Sequence, residues 1–211
     1  MIFLYALFTI YKKCDRIKKR CFYWVKNMTR CKWCNLNNKI YVTYHDKEWC
    51  QERYDDQYLF EMLILESFQA GLSWECILNK REAFRKAYEQ FNLNKVCNFD
   101  EDKVKELLND DSIVRNKLKV MASINNARIF KQIKIEYGSF FNYLKIFTHG
   151  KRYVEINEVS SKLSDDISND LKKRGMKFVG TKIIYSYLQA IGIIYSHDEG
   201  CYLYKNNLHI C

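Results

Sequence analysis

An all-α fold is predicted for this chain of 211 residues on three observations. Apolar residues recur at three- and four-residue intervals in segment after segment. Only one stretch, KIYVTY at 39–44, reads as extended, so little or no sheet is expected. There is no proline, and seven glycines leave few interruptions for helices. The length suits one core, and a hydrophobic share of 48% argues against disorder over most of it.

The helices follow in order. DDQYLFEMLILESFQ (55–69) has acids at its start, where the helix dipole favours them, and stops near AGLS. NKREAFRKAYEQF (79–91), DEDKVKELLND (100–110), the long segment 112–138 and FFNYLKIFT (140–148) each carry apolar residues at helical spacing. In segment 164–194, Ser164 is expected as an N-cap, with Asp165 and Asp166 in the first turn. Lys172, Lys173 and Arg174 fall in its last turn, and Gly175 takes the left-handed position beyond it. After a tight turn through FVGT, Thr181 and Lys182 open a further helix with an apolar stripe of Ile183, Ile184, Tyr187, Leu188 and Ile191.

Charge is unevenly spread. Of the net +10, residues 1–30 supply +7, from eight Lys/Arg against the single Asp15. Residues 1–29 read as a basic extension, disordered or serving in targeting. The compact domain is expected over 30–205, with a short tail at 206–211. The opening MIFLYALFTIY is too short to span a membrane and carries its positive charges on the wrong side for a signal peptide, so no membrane association is expected. Nine cysteines lack the regular spacing of a secreted disulfide scaffold and suit a mixture of buried thiols and metal ligands.

Three features carry chemistry. Glu66 shares a helical face with Leu59, Met62 and Leu63, and an ionised carboxylate there must find a partner, shift its pKa or stand at the lip of a pocket. Glu61 lies on another face and is expected to reach solvent. The turn at Gly180 aims free helix-start N–H groups outward, and Lys172, Lys173, Arg174, Lys177 and Lys182 make a basic patch around it, as phosphate binding requires. Cys31 and His45 near the start, with His197 and Cys201 in HDEGC, form a possible tetrahedral set; Cys34 completes a C-x-x-C with Cys31 and is a rival ligand.

RCKW, YVTYHDKEW, LFEMLILESFQAGLSW, KKRGMKFVGTKIIYSYLQAIG and HDEGC, in that order over residues 30–204, resemble the DNA-3-methyladenine glycosylase I family. The resemblance implies a helix-hairpin-helix glycosylase acting on alkylated double-stranded DNA, with one structural Zn2+ joining the N- and C-terminal segments. It implies that Cys31, His45, His197 and Cys201 ligate the zinc. Glu66 becomes the functional acid of a base pocket with Tyr41, Tyr44 and Trp74 around the base. Gln69, Gly71 and Leu72 belong to a loop near the gap left by the extruded nucleotide, and Lys177, Val179, Gly180, Thr181 and Lys182 to the hairpin gripping the backbone. Asp198 is a lesser candidate for a catalytic role.

The chemistry this implies is coherent. A nucleotide inside a duplex must be flipped out to be reached, and a damaged base unstacks more cheaply. Methylation at N3 makes adenine cationic, which favours aromatic faces and a carboxylate and makes the base a good leaving group. A monofunctional, monomeric enzyme leaving an abasic site is expected, working in bacterial cytoplasm or in a eukaryotic nucleus or organelle. The competing reading is a damage-binding module on the same scaffold without turnover. A zinc hydrolase is disfavoured, because Cys2His2 ligation leaves no open metal position.

Overall fold

The computed structural model describes residues 28–204. Most of the basic extension, with Cys14 and Cys21, and the tail with Cys211 lie outside the described residues. Within them the chain is all-α: α1 (Lys39–Lys47), α2 (Asp56–Gln69), α3 (Trp74–Asn79), α4 (Arg81–Ala87), α5 (Leu93–Val96), α6 (Glu101–Asn109), α7 (Lys117–Tyr137), α8 (Phe140–Thr148), α9 (Lys162–Lys173) and α10 (Thr181–Ala190). Two short strands, β1 (Tyr153–Val154) and β2 (Ile194–Tyr195), pair in parallel.

The core is organised around α2. Asp55 caps it, accepting the Tyr58 N–H at 2.9 Å, and every side chain from 58 to 68 is buried. A helix apolar on all sides is a central helix, and α3, α7, α8 and α10 surround it. The reading of Glu61 is therefore corrected. Its carboxylate is 7% exposed and accepts Arg81 Nε at 2.6 Å and Arg85 Nε at 2.8 Å. Both arginines come from α4, so an acid that periodicity sends to solvent is neutralised inside the core.

KIYVTY is helical, a second correction. Asn38 accepts the N–H groups of Ile40 and Tyr41 at 3.1 and 3.3 Å. Tyr41, Tyr44 and His45 then bury one face at spacings of three and four, and that burial outweighs the extended preference of Val42 and Thr43. The segment 79–91 does not run as one helix either: α4 ends at Ala87 and Gln90 takes φ +55° in a short 3-10 turn.

The carboxyl-terminal hairpin begins one turn earlier than expected. Ser161 is the cap of α9, and Ser164 Oγ, in its first turn, accepts the Ser161 N–H at 2.8 Å. Gly175 takes the expected left-handed φ of +96°. Gly180 is different: its φ is an ordinary −63°, and a Cβ there would meet nothing within 4 Å. Its lack of a side chain leaves open space in front of α10, although the turn itself does not demand glycine. By contrast Gly192, at φ +80°, has the Gln51 backbone 2.5 Å from where a Cβ would lie. This close approach ties the chain leaving α10 to the chain entering α2.

Candidate active site and metal cluster

A cleft of about 390 Å³ opens between α1, α2, α3 and the carboxyl-terminal segment. Tyr41 and Tyr44 come from α1, Glu66 and Gln69 from the end of α2, and Trp74 from the start of α3. Tyr44 and Trp74 face each other at 5.5 Å between ring centres. The four residues expected around a base, Glu66, Tyr41, Tyr44 and Trp74, therefore line one cavity. Gln69, expected in the outer loop, lines it too.

Three of the polar groups here are unsatisfied. Glu66 Oε2, Gln69 Oε1 and Trp74 Nε1 are buried without a hydrogen-bond partner. Buried polar atoms are nearly always paired, so three orphans lining one cleft stand out, and they leave hydrogen-bonding capacity there unused. Glu66 is 2% exposed, and burial alone pushes its carboxyl well above the ordinary range. Burial, with a contribution from Glu66, also holds the Tyr44 hydroxyl far from ionisation and pushes Tyr41 up to about 12. Both rings stay neutral at physiological pH.

Several lining residues lay beyond sequence reasoning. Trp33 and Trp49 pack edge to face at 4.7 Å, and Trp33 meets Tyr41 at 5.1 Å. Both tryptophans stand inside the RCKW and YHDKEW motifs, which was the available signal. Ser186 and Gln189 enter from α10 and Ser196 from the segment just after β2, while Asn157, Glu158 and Val159 come from the loop after β1. The β1–β2 pairing, with Tyr153 N–H donating to Ile193 O at 2.9 Å, holds that loop, and no local pattern announces it.

Behind this cleft, Cys31, His45, His197 and Cys201 are all buried, with one donor atom from each within 4.8 Å of the others. Cys31 Sγ lies 3.4 Å from His197 Nδ1, and Cys201 Sγ is 3.6 Å from that atom and 3.5 Å from His45 Nε2. A tetrahedron with bonds of about 2.0–2.3 Å has edges near 3.5 Å, so the donors fit a four-coordinate ion of zinc's type. Cys34 is buried but stands outside the set.

The surroundings also bear on metal binding. Burial lowers both imidazoles, His197 to about 4, so both rings are neutral, the form in which an imidazole can ligate an ion. Burial also pushes the Cys31 thiol up, so a thiolate there would need the positive charge of an ion beside it. The Asp198 backbone N–H donates to Cys31 Sγ at 3.3 Å, and Asp46 Oδ1 lies 2.9 Å from His45 Nδ1 while Arg30 holds that carboxylate from the other side. Such outer bonds fix ligand orientation. Asp198 accepts the Lys32 N–H at 2.8 Å and lines the cleft. Cleft and cluster share their supports: α1 carries Tyr41, Tyr44 and His45, and Ser196 and Asp198 flank His197.

The residues expected at DNA divide by exposure. Gly71, Leu72, Lys177 and Lys182 are exposed. Val179 is buried at 1%, and its carbonyl accepts Ser168 Oγ at 2.7 Å, so it supports the hairpin from within. Thr181 Oγ1 is engaged by Ser164 Oγ at 2.9 Å. No side chain caps the N-terminus of α10, and a Cβ at its cap residue Gly180 would meet nothing within 4 Å. Arg174, counted in the basic patch, is instead paired with Glu136 and Asp170 at 2.7 and 2.8 Å.

An all-α chain with an aromatic-walled, acid-bearing cleft beside a buried Cys/His cluster has the organisation of a base-excision glycosylase. The chain belongs to the methyladenine glycosylase family, whose model matches residues 33–204. It is 40% identical over 186 residues to DNA-3-methyladenine glycosylase 1 of Escherichia coli K12, covering 85% of this chain and 99% of that one. A crystal structure of 3-methyladenine DNA glycosylase I superposes with a TM-score of 0.80 at 37% identity, covering 84% and 100% of the two chains. A Staphylococcus aureus structure described for 3-methyladenine recognition has a TM-score of 0.78 at 33% identity, covering 82% and 95%. Among the described residues no helix is long and apolar enough to cross a membrane.

Proposed function

We propose that this protein is a monofunctional DNA-3-methyladenine glycosylase that flips the damaged nucleotide into the cleft and hydrolyses its N-glycosidic bond. The observation that carries this reading is the set of unpaired atoms of Glu66, Gln69 and Trp74 in one aromatic-walled cleft. A neutral purine would leave the buried carboxylate expensive to ionise. A cationic 3-methyladenine supplies the missing counter-charge, and each well-placed aromatic face adds roughly 0.5–2 kcal/mol. Affinity is thereby tied to the charge that marks the damage.

That charge also weakens the glycosidic bond. As the bond breaks, its electron pair passes to the base, which leaves neutral, and water adds to C1′ of an oxocarbenium-like sugar and gives up a proton. Glu66 reads the base and stabilises positive charge in the cleft, and Asp198 at the cleft wall is a secondary candidate for orienting water. The product is an abasic site with the strand intact.

The DNA is held from two sides. The uncapped amides of α10, the open space at Gly180 and the ammonium groups of Lys177 and Lys182 suit phosphates, in the manner of a helix-hairpin-helix. Gly71 and Leu72, the latter 41% exposed, suit the gap left by the flipped nucleotide. One Zn2+ on Cys31, His45, His197 and Cys201 would stabilise the back wall of the cleft, structurally and with no part in the reaction. We assign the protein as a monomer acting on double-stranded DNA, in whichever compartment holds that DNA.

The test is release of free base from methylated duplex by the zinc-loaded protein. Release of 3-methyladenine with no borohydride-trapped protein–DNA adduct is expected. Tight duplex binding with no release would reduce the protein to a damage-binding module.

A further inference from the structure

The long helix α7 carries three buried polar side chains, Lys119, Ser123 and Asn126, at spacings of four and three residues along one face. Polar atoms that deep must be bonded, and the outer two bond to the two segments assigned above to DNA. Lys119 Nζ donates to Phe68 O at 2.7 Å and Ala70 O at 2.5 Å. These are carbonyls at the end of α2, where the chain turns into loop 69–73 and Leu72 N–H closes on Gln69 O at 2.6 Å. An ammonium at a helix C-terminus suits the dipole and fixes the direction in which the loop leaves.

Seven residues further along, Asn126 grips the hairpin from both sides of one residue. Its Oδ1 accepts the Lys177 N–H at 2.9 Å and its Nδ2 donates to Lys177 O at 2.8 Å. The neighbouring Asn125 donates to Gly175 O at 2.9 Å. The grip has a backbone reason, since Phe178, the next residue, holds a φ of +56°, a left-handed conformation that non-glycine side chains avoid. Asn126 on Lys177 and Ser168 on Val179 hold the chain on either side of it.

We propose that α7 is a rigid spacer that sets the distance between the gap-probing loop and the phosphate-gripping hairpin, with Lys119 and Asn126 as the positioning residues at its two attachment points. Seven residues of α-helix span about 10 Å, a length that a continuous hydrogen-bonded helix keeps nearly constant. The two segments therefore meet DNA as one preset pair, and neither has to be ordered at the moment of binding. This inference rests on the DNA roles given to both segments under the proposed function. The clamps themselves are properties of the free protein.

The experiment compares wild type, Lys119→Met, Asn126→Ala and the double variant. Each single variant is expected to weaken binding of a duplex carrying a tetrahydrofuran abasic analogue about tenfold, and Asn126→Ala, whose clamp is on the hairpin, is expected to keep the release rate at saturating protein within about threefold of wild type. Once one attachment is loose, simultaneous engagement is lost. The double variant is then expected to fall well short of the hundredfold loss of two independent defects. Folded single variants with wild-type affinity, or a fully multiplicative double, would overturn the spacer.

Amide hydrogen exchange on the free protein gives an arm that needs no DNA. Lys119→Met is expected to speed exchange in loop 69–73 alone, and Asn126→Ala in residues 175–179 alone. Unchanged exchange in either segment would refute that clamp. Failure of wild type to bind duplex at all would instead strike the functional reading, with the exchange result still deciding whether the clamps exist.

Discussion

Glu61 and Glu66 lie five residues apart on α2, both are buried, and their surroundings differ completely. Glu61 is held by Arg81 and Arg85, so its charge is matched within the fold. Glu66 keeps an oxygen with no partner at all. A buried ion pair completed within the protein has structural work to do, whereas the proposed function has the unpaired carboxylate at the cleft wall matched by a charge from outside. Under the proposed function, the two glutamates of this one helix separate stability from recognition.

Changing Glu66 should produce the largest effect. Glu66→Gln is expected to slow single-turnover base release by about a hundredfold or more, the scale of losing a positioned charge at a reacting centre. It should also change stability in the opposite sense. The folded-state carboxyl titrates above its unfolded value near ~4.3, so the stability it allows is fully present below that pH and is lost as pH rises through the raised folded value. The glutamine variant escapes that loss. It should melt above wild type at pH 8, with the gap closing towards pH 4.

The proposed metal site sharpens the contrast from the other side of the cleft wall. Chelation under denaturing exchange is expected to lower the melting temperature by ten degrees or more, an estimate of about several kcal/mol for a structural site. Added Zn2+ should restore it at one ion per chain, as read by calorimetry with metal analysis. Because α1 carries His45 as well as Tyr41 and Tyr44, base affinity should fall with it. Smaller again is Glu61→Gln, expected to cost about 2 kcal/mol in denaturant unfolding, since Arg81 loses one of its two carboxylates and keeps Glu48 at 2.7 Å. Its release rate at saturating substrate should stay within about twofold of wild type. A large rate loss there would erase the division between the two glutamates.

Periodicity placed Glu66 inward, yet it failed on Glu61 because the neutralising arginines lie on α4, and contacts between helices leave no mark on the spacing within one. The four metal-ligand candidates are legible in the sequence as a possible tetrahedral set, but spacing alone leaves Cys34 a rival to Cys31, because the His45 and His197 halves are far apart in sequence and meet only through the fold. Trp33 and Trp49 sat inside recognisable motifs without any sign that they face a cavity. Asn157 to Val159 had no signal, being carried to the cleft by a two-residue strand pairing. α1 was missed for a local reason: Val42 and Thr43 look extended, while the tyrosine and histidine face that decides the matter is visible only once there is a core to bury it.

The most direct measurement is a carbon-13 NMR titration of the Glu66 carboxyl in the free protein and with a cationic 3-methyladenine nucleoside analogue bound. The account predicts a free-protein value well above the ordinary ~4.3 for glutamate, falling when the cation arrives to complete the pair. A free-protein value in the ordinary range, unmoved by the cation, would mean that Glu66 already has its partner, and the cleft would lose its claim to read the charge of the damaged base.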